Sequence, residues 1–273
     1  MTTTPKTIQI FLPGGDPRGI RVAERQAKDA NIILIEEPEN HLSFTSMNVL
    51  INKIREKCAG KQIVIVTHSA YVLNKLGIEK VFFLHDAKHS SLKSLPADTQ
   101  SYFKRLSGYD TLRVILAKKV ILVEGPSDEL VVQKAFKVKH GKLPIEAGVD
   151  VINVRGLSFA RFLDIAKELK NEVAVVTDND GDFKNNIEKK YLHYSGIGTI
   201  KIYADKNDKL KTLEPQIVAV NDLKVLNKVL GTDFKIAEDA ADYMVANKTE
   251  CALAIFETVE KIVFPAYVQA AIN

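Results

Sequence analysis

Continuous apolar runs alternate with amphipathic segments along most of this chain. Residues 46–58 and 159–169 carry apolar side chains at intervals of three or four, which predicts helices. Alternation of strand and helix is typical of βαβ units and of parallel sheets, so we predict an α/β protein. Unbroken apolar runs are typical of parallel strands that are buried on both faces. These runs lie at residues 31–36, 62–67, 120–123 and 172–178.

A polar connector separates two βαβ series. The connector, at residues 85–100, is rich in Ser, Lys and Asp, and a predicted helix follows it at residues 110–117. The order of elements predicts a parallel-sheet domain with flanking helices, between a partial α/β lobe and a helical extension. The predicted parts are a leader of uncertain origin at 1–29, the partial lobe at 30–100, a connector helix at 101–118, the parallel-sheet domain at 119–220 and the extension at 221–273.

The tail of the chain is predicted to form several short helices from residue 221 onwards. Its apolar residues recur at spacings that suit helices with one buried face. The residues predicted to pack inward are Leu253, Phe256, Val259 and Val263.

Composition sets bounds on the class of protein. With 273 residues, 46% of them hydrophobic, the chain can bury a sizeable core in one large or two modest domains. The polar first residues do not resemble a signal peptide, and no apolar run approaches the roughly 20 residues that span a bilayer. We therefore expect a cytoplasmic protein with no membrane partner. A net charge of +4 is compatible with a polyanionic partner but does not require one.

Cysteine usage gives no indication of a disulfide scaffold or a structural zinc site. The chain contains only Cys58 and Cys251, and no Cys-x-x-Cys motif. Both are expected to be ordinary reduced thiols.

Carboxylates follow two of the predicted strands. Glu124 follows one apolar run with Asp128 four positions later, and Asp178 and Asp180 follow another. Because the carboxyl ends of parallel strands meet at one edge of a sheet, these side chains should converge. Asp178 and Asp180 are expected to point to one side, since alternate residues of a strand share a face. Converging carboxylates repel unless a hard cation neutralises them, and Mg²⁺ and Mn²⁺ prefer oxygen ligands. The pattern predicts a metal-dependent site.

Residues 124–128, which read Glu-Gly-Pro-Ser-Asp, and residues 178–180, which read Asp-Asn-Asp, resemble the Toprim domain. Toprim is the metal-binding fold of topoisomerases, primases and certain nucleases. Its pattern has a glutamate at the end of the first strand, a carboxylate four positions later, and an Asp-x-Asp motif after the third strand. An Asp-x-Asp motif by itself is equally typical of solvated turn residues. The combined pattern favours the metal site.

Two motifs in the first lobe resemble those of ABC-type ATPases. Residues 32–42, Ile-Ile-Leu-Ile-Glu-Glu-Pro-Glu-Asn-His-Leu, resemble a Walker B strand with a D-loop, and residues 63–69 resemble a switch-histidine strand. An ABC-like ATPase that leads directly into Toprim is similar to the OLD (overcoming lysogenization defect) family of nucleases, which are associated with phage defence. Residues 109–113, 212–215 and 247–250 also resemble later segments of that family.

The resemblance implies roles for individual residues. In the first lobe Glu36 would hold Mg²⁺, Glu37 would polarise the hydrolytic water and His68 would sense the γ-phosphate. The alternative for these residues is a solvated strand end. In the second domain the resemblance implies that Glu124 ligates metal or moves protons, that Asp128, Asp178 and Asp180 are metal ligands, that Glu214 is a further acidic contributor and that Lys248 stabilises the transition state.

Glu214 and Lys248 each have an ordinary alternative. Glu214 could cap or solvate a turn, and Lys248 could be a surface lysine near the start of a helix.

The ATPase resemblance lacks one necessary part. Nucleotide binding needs a glycine-rich loop ending in Lys-Ser/Thr, and the turn at residues 13–19 has neither the lysine nor the hydroxyl. We therefore expect ATP to bind weakly or not at all. The chain is interpreted as one whose N-terminal ATPase half is replaced by the short leader. Apolar surface should remain exposed beside the strands at 31–36 and 62–67, which favours a homodimer or a partner that completes the lobe.

The function that this interpretation favours is Mg²⁺- or Mn²⁺-dependent cleavage of DNA, with two ions at the Toprim site. The principal alternative is a non-catalytic DNA-binding or assembly module of a phage-defence complex. A primase-like or topoisomerase-like Toprim enzyme is a further alternative, and the topoisomerase reaction would need an active-site tyrosine in a separate domain.

Overall fold

The chain folds as two compact units, Met1–Leu112 and Arg113–Asn273, in a computed structural model. The structure describes residues 7–10, 31–40, 42–57, 60–85, 88–105, 111–155 and 158–273. Most of the predicted leader therefore lies outside the described residues. Within the described ranges, every helix is too short or too polar to cross a lipid bilayer.

The first unit contains a three-stranded parallel sheet in the order β1-β2-β3. The helix α1 connects β2 to β3, and α2 follows β3, which confirms the predicted βαβ pattern. In the register of the sheet, Ile33 pairs with Ile63. The elements are β1 Thr7–Ile10, β2 Ile32–Glu36, α1 Phe44–Lys57, β3 Gln62–Val66 and α2 Ala70–Leu76.

A hydrophobic cluster of the first unit lies on one face of this sheet. Ile33 and Ile35 of β2 pack with residues of α1 and α2. Alternate strand residues point to the opposite face, where Val64 and Val66 of β3 are 42% and 56% exposed. The described helices that pack against this sheet contact the Ile33 face. The predicted exposed apolar surface beside these strands is confirmed.

The segment predicted as a polar connector, residues 85–100, contains secondary structure that the sequence pattern did not predict. Two strands, β4 Phe82–His85 and β5 Lys88–Ser91, form an antiparallel hairpin there, and the helix α3 Ala97–Arg105 follows. Strand β5 is polar, so its sequence carries no hydrophobic signal, and pairing with β4 determines its conformation. A further helix, α4 Thr111–Leu116, confirms the one predicted at residues 110–117.

The second unit contains a four-stranded parallel sheet in the order β7-β6-β8-β9. The two central strands are almost entirely buried, as their apolar sequences predict. The observed fold is therefore the predicted α/β class with a parallel sheet and flanking helices. The elements are β6 Lys119–Val123, α5 Pro126–His140, β7 Val149–Asn153, α6 Phe159–Leu169, β8 Glu172–Val176 and β9 Ile200–Tyr203.

Short helices complete the second unit, as the sequence predicts for the tail. They pack against β6 and α5 in one continuous core that includes Ile217, Met244 and Val268. The helices are α7 Leu213–Val220, α8 Leu223–Leu230, α9 Ala237–Ala246, α10 Lys248–Glu257 and α11 Ala266–Ala271.

The residues that the tail buries differ from those predicted. In α10 the buried face consists of Cys251, Ala252 and Ile255, whereas Leu253 is 45% exposed. Phe256 is only partly buried, and Val259 and Val263, beyond the end of the helix, are 97% and 44% exposed. Several spacings of the apolar residues suit a helix here, and packing against α5 selects the face that the sequence pattern did not single out.

A buried lysine joins α5 to the end of α10. The Lys134 Nζ donates hydrogen bonds to the carbonyl oxygens of Phe256, at 3.0 Å, and Thr258, at 2.5 Å. Burial, followed by the nearby Lys137 charge, lowers the pKa of the Lys134 ammonium group. Since these carbonyls lie at the carboxyl end of α10, where the helix dipole favours a cation, Lys134 anchors this helix to α5.

We expect Lys134→Ala to destabilise the second unit by about 1–3 kcal/mol, because it leaves two carbonyl groups without their donor. Thermal unfolding measures the change. Lys137→Ala, one turn further along the same helix at an exposed position, is the matched control and should leave the midpoint almost unchanged. Equal midpoints for the two variants would contradict an anchoring role for Lys134.

Candidate functional site

The candidate site lies at the edge of the second sheet where the central strands end. Glu124 follows β6, and Thr177 and Asp178 follow the neighbouring β8. The Thr177 hydroxyl donates a hydrogen bond to Glu124 Oε1, and the Asp178 N–H donates to the same oxygen at 3.1 Å. The Glu124 carboxylate is thus held between two parallel strands.

The start of α5 orients a second carboxylate. Asp128 is in the first turn of the helix, and its Oδ2 accepts a hydrogen bond from the Gly125 N–H at 3.0 Å. This capping interaction fixes the Asp128 carboxylate at the start of the helix. Burial, with a further contribution from the Glu124 charge, raises the pKa of Asp128 to about 6.

Glu214 and Lys248 form an ion pair at this site. Glu214 lies in the first turn of α7 and is 5% exposed, and Lys248 is the first residue of α10. The Lys248 Nζ is 3.1 Å from Glu214 Oε1. Burial disfavours the Lys248 ammonium charge, but Glu214, Asp178 and Asp128 together outweigh this effect and raise the pKa of Lys248. In the part of the chain that the structure describes, Glu214 Oε2 is buried without a hydrogen-bond partner.

The surrounding charges of the site all affect the pKa of Asp178. Burial raises its pKa to about 8, with further contributions from Asp128, Glu124 and Glu214, while Lys248 opposes the rise. The structure therefore brings four carboxylates and one ammonium group within electrostatic range of one another. Because one ammonium group cannot neutralise four carboxylates, an additional cation would be favourable here.

The fit of this site to a hard cation depends on its donors. No three His, Cys, Asp or Glu side chains within the described ranges already stand in the arrangement of a metal site. The donor set is nevertheless all oxygen, and the unpartnered Glu214 Oε2 is a buried acceptor that a cation would satisfy. The residues present fit Mg²⁺ or Mn²⁺.

Asp180 does not share the environment of Asp178. Strand β8 ends at Val176, so neither aspartate lies in a strand, and the expectation that strand alternation points them to one side is wrong. Asp180 is exposed, has φ +51°, and donates its N–H to the Lys211 carbonyl at 3.2 Å.

Asn179, between the two aspartates, is a structural residue that the sequence reasoning missed. It is fully buried, and its side-chain amide donates to the carbonyl oxygens of Asp205 at 2.9 Å and Asn207 at 3.0 Å. Its Oδ1 accepts from the Gly181 N–H at 2.7 Å. An amide supplies both donors and an acceptor, as this turn requires. The asparagine between the two aspartates was therefore the feature of the sequence that could have indicated this structural role.

In the first unit, the structure brings together two of the three residues assigned to the ATPase-like motifs. His68 Nε2 lies 3.4 Å from Glu37 Oε1, and the two side chains are 79% and 38% exposed. Glu37 has φ +42° and donates its N–H to the Val66 carbonyl at 2.8 Å. Glu36 ends β2 and is exposed.

Glu39 organises the end of β3, and the sequence reasoning gave it no role. Both of its carboxylate oxygens lie 2.8 Å from the Thr67 hydroxyl, and Oε1 accepts from the His68 N–H at 2.6 Å. Glu39 therefore holds the two residues that follow β3, while Glu37 contacts the His68 ring. A carboxylate in a Pro-Glu-Asn turn was the only available signal.

Comparisons with known proteins agree with this geometry. Residues 115–180 match the family model described as the overcoming lysogenization defect protein-like Toprim domain. The chain is 23% identical to endonuclease GajA from Bacillus cereus strain VD045 over 163 residues. This match covers 58% of this chain and 28% of that protein. With GajA from B. cereus strain HuB5-5 the identity is 22% over 233 residues, covering 71% and 34%. The chain thus spans about a third or less of the length of these relatives.

A solved structure, the C-terminal region of the Burkholderia pseudomallei OLD protein, is 18% identical, with a TM-score of 0.46. The match covers 57% of this chain and 96% of that one. The family match over residues 115–180 coincides with the strands and turns that position Glu124, Asp128 and Asp178. The chain is accordingly related to the overcoming-lysogenization-defect family, through the Toprim domain in its second unit.

Proposed function

We propose that this protein is a DNA endonuclease that depends on Mg²⁺ or Mn²⁺, with two ions at the Toprim site. The observation that carries the proposal is the buried Glu214 Oε2, which has no partner within the described residues although it lies among like charges. A cation is the simplest group that satisfies this oxygen and offsets the repulsion. GajA, whose printed name is endonuclease, gives independent support for the reaction class.

In this proposal the protein supplies ligands, geometry and one fixed positive charge. Bound divalent cations polarise the phosphodiester and lower the pKa of water, which is the chemistry that the side chains cannot provide. Glu124, positioned by Thr177, binds metal or takes a proton from the attacking water. Lys248, oriented by Glu214, stabilises the charge that develops on the phosphate. The other proposed ligands are Asp128, Asp178, Asp180 and Glu214.

An assembly function for the first unit is favoured by its exposed apolar face. Val64 and Val66 lie on an otherwise regular parallel strand and are largely exposed. An apolar sheet face of this kind suits a second copy of the chain or a partner that completes the lobe. We infer that ATP binds weakly to this unit, because Glu36, Glu37 and His68 can act on Mg²⁺, water and phosphate but no phosphate-binding loop accompanies them in the sequence.

We expect Asp178→Asn to lower metal-dependent nicking of supercoiled plasmid by roughly 10²-fold or more, because the amide removes a negative ligand. Conversion to nicked and linear DNA in Mg²⁺ or Mn²⁺ measures the effect. Asp233→Asn, at an exposed position outside the site, is the control and should cut like the parent. If Asp178→Asn cuts as fast as the parent, Asp178 is not a ligand, and an inactive parent would contradict the endonuclease proposal.

We expect the metal-free protein to lose stability as pH rises from about 4 to about 8. The pKa of Asp178 is raised from 3.8 to about 8 and that of Asp128 to about 6, so the folded state binds protons more tightly than the unfolded state. Folding is therefore favoured at low pH, and this contribution is lost as the carboxyl groups ionise. Thermal unfolding in EDTA measures the trend.

The same experiment has an internal comparison. Asp178→Asn removes the group with the highest of these pKa values, so its unfolding midpoint should fall less between pH 5 and pH 8 than that of the parent. Mg²⁺ or Mn²⁺ should raise the midpoint of the parent more at pH 8 than at pH 5. A parent and variant with parallel pH profiles would show that Asp178 is not the group responsible.

We expect Lys248→Ala to lower turnover by roughly 10²-fold with little change in the metal concentration required, which is typical of losing one preorganised charge. Cleavage rates at saturating DNA and varied Mg²⁺ separate the two quantities. Lys235→Ala, an exposed lysine in another ion pair, is the control. A cleavage rate equal to that of the parent would show that Lys248 has no catalytic role.

A further inference from the structure

Two lysine-rich loops border the carboxylate site on the β8–β9 side of the second sheet, and the first of them contains a short helical stretch at Lys184–Lys189. Both leave the sheet at its carboxyl edge, one after β8 and the other after β9. The second loop leads into α7, which carries Glu214. We define the lysine rim as the six exposed lysines of these loops: Lys184, Lys189, Lys190, Lys206, Lys209 and Lys211.

Hydrogen bonds fix the two loops to each other. Asn179, in the first loop, donates to carbonyl groups of the second, and the Phe183 N–H donates to Asp208 Oδ1 at 2.8 Å. Gly181 has φ +82°, and a Cβ added there would lie 3.1 Å from the Lys211 Cε. The Lys211 side chain therefore lies directly over the turn that follows Asp180. The rim is thus held against the site.

Three acidic residues of these loops accept hydrogen bonds from backbone groups of the loops. Asp182 accepts from the Asn185 N–H at 3.0 Å, Asp205 from the Asn207 N–H at 2.7 Å, and Asp208 from Phe183. In contrast, no rim lysine lies within 4.0 Å of a carboxylate oxygen in an ion pair anywhere in the described part of the chain. Three carboxylates of the loops are thus engaged with backbone N–H groups, whereas all six rim lysines are exposed, and the ammonium groups of Lys190 and Lys206 lie over the Tyr191 and Phe183 rings.

We propose that the lysine rim binds the phosphate backbone of DNA and guides a strand to the carboxylate site. Carboxylates alone would repel a polyanion, so a nuclease site of this kind needs positive charge beside it. Backbone contacts by lysine are independent of base sequence and sensitive to salt. This inference rests on the proposed function for the identity of the polyanion, but it concerns binding and is tested without cleavage.

The test compares two fourfold variants of the full-length chain with the same change in charge. The rim variant is Lys184→Gln/Lys189→Gln/Lys206→Gln/Lys209→Gln, and Lys211 is left in place because it packs on Gly181. The control variant changes four exposed lysines elsewhere in the second unit: Lys142→Gln/Lys167→Gln/Lys170→Gln/Lys224→Gln. Fluorescence anisotropy of a labelled DNA duplex at several salt concentrations, in EDTA and then in Mg²⁺ with Asp178→Asn added to every chain, measures affinity.

The rim variant should bind at least roughly tenfold more weakly. In a plot of log K against the logarithm of the salt concentration, its slope should be less steep by about 0.9 for each lost phosphate contact. The control variant should stay within about twofold of the parent. A rim variant with the four lysines changed to arginine should retain binding, which separates loss of charge from loss of folding. Equal losses in the rim and control variants, or no loss in the rim variant, would overturn the proposal.

Two further outcomes separate this inference from the proposed function. If the parent chain binds DNA through the rim but does not cut plasmid in either metal, the endonuclease proposal fails and the binding surface stands. If the parent cuts plasmid and the rim variant binds and cuts equally well, the rim proposal fails alone. Tighter binding of an RNA duplex of the same sequence would overturn the assignment to DNA.

Discussion

Repulsion among carboxylates at one edge of a parallel sheet is the constraint on which the second unit depends. Glu124, Asp128, Asp178 and Glu214 come from three different parts of the chain, yet the charges of the other three all raise the pKa of Asp178. Within the described residues, the Lys248 ammonium group is the cation that the structure pairs with them. Such a cluster is unfavourable in an empty protein and favourable around a cation.

The surrounding structure is arranged to hold these charges in spite of that cost. Glu124 is fixed by Thr177 and by the Asp178 N–H, and Asp128 by its capping bond to Gly125. Behind the site, Gln216 is buried, accepts from the Tyr267 hydroxyl at 2.7 Å and donates to the Leu210 carbonyl at 2.8 Å. The last helix, α11, is therefore connected to the loop that carries part of the lysine rim.

The helical extension is consequently part of the site. Lys248 reaches Glu214 from the first turn of α10, and Lys134 holds the opposite end of that helix. A helix anchored at one end and paired with a carboxylate at the other has little freedom to change register. The carboxylates lie at the edge of the parallel sheet, and the Lys248 ammonium group that pairs with Glu214 comes from the helical extension.

Sequence patterns by themselves determined the α/β class, the parallel strands and the positions of Glu124 and Asp178 after their strands, because unbroken apolar runs and the geometry of parallel sheets are local and general. They did not determine the hairpin at β4 and β5, since a polar strand such as β5 has no hydrophobic signal and depends on its partner.

Tertiary structure alone decided which residues meet. The pairing of Glu214 with Lys248 joins residues far apart in sequence, and Asn179 acquires its partners only when the β9 loop packs beside it. The same is true of the buried face of α10, where Ile255 packs inward and Leu253 does not. In each case several local conformations suit the sequence equally, and long-range packing and hydrogen bonding select one of them.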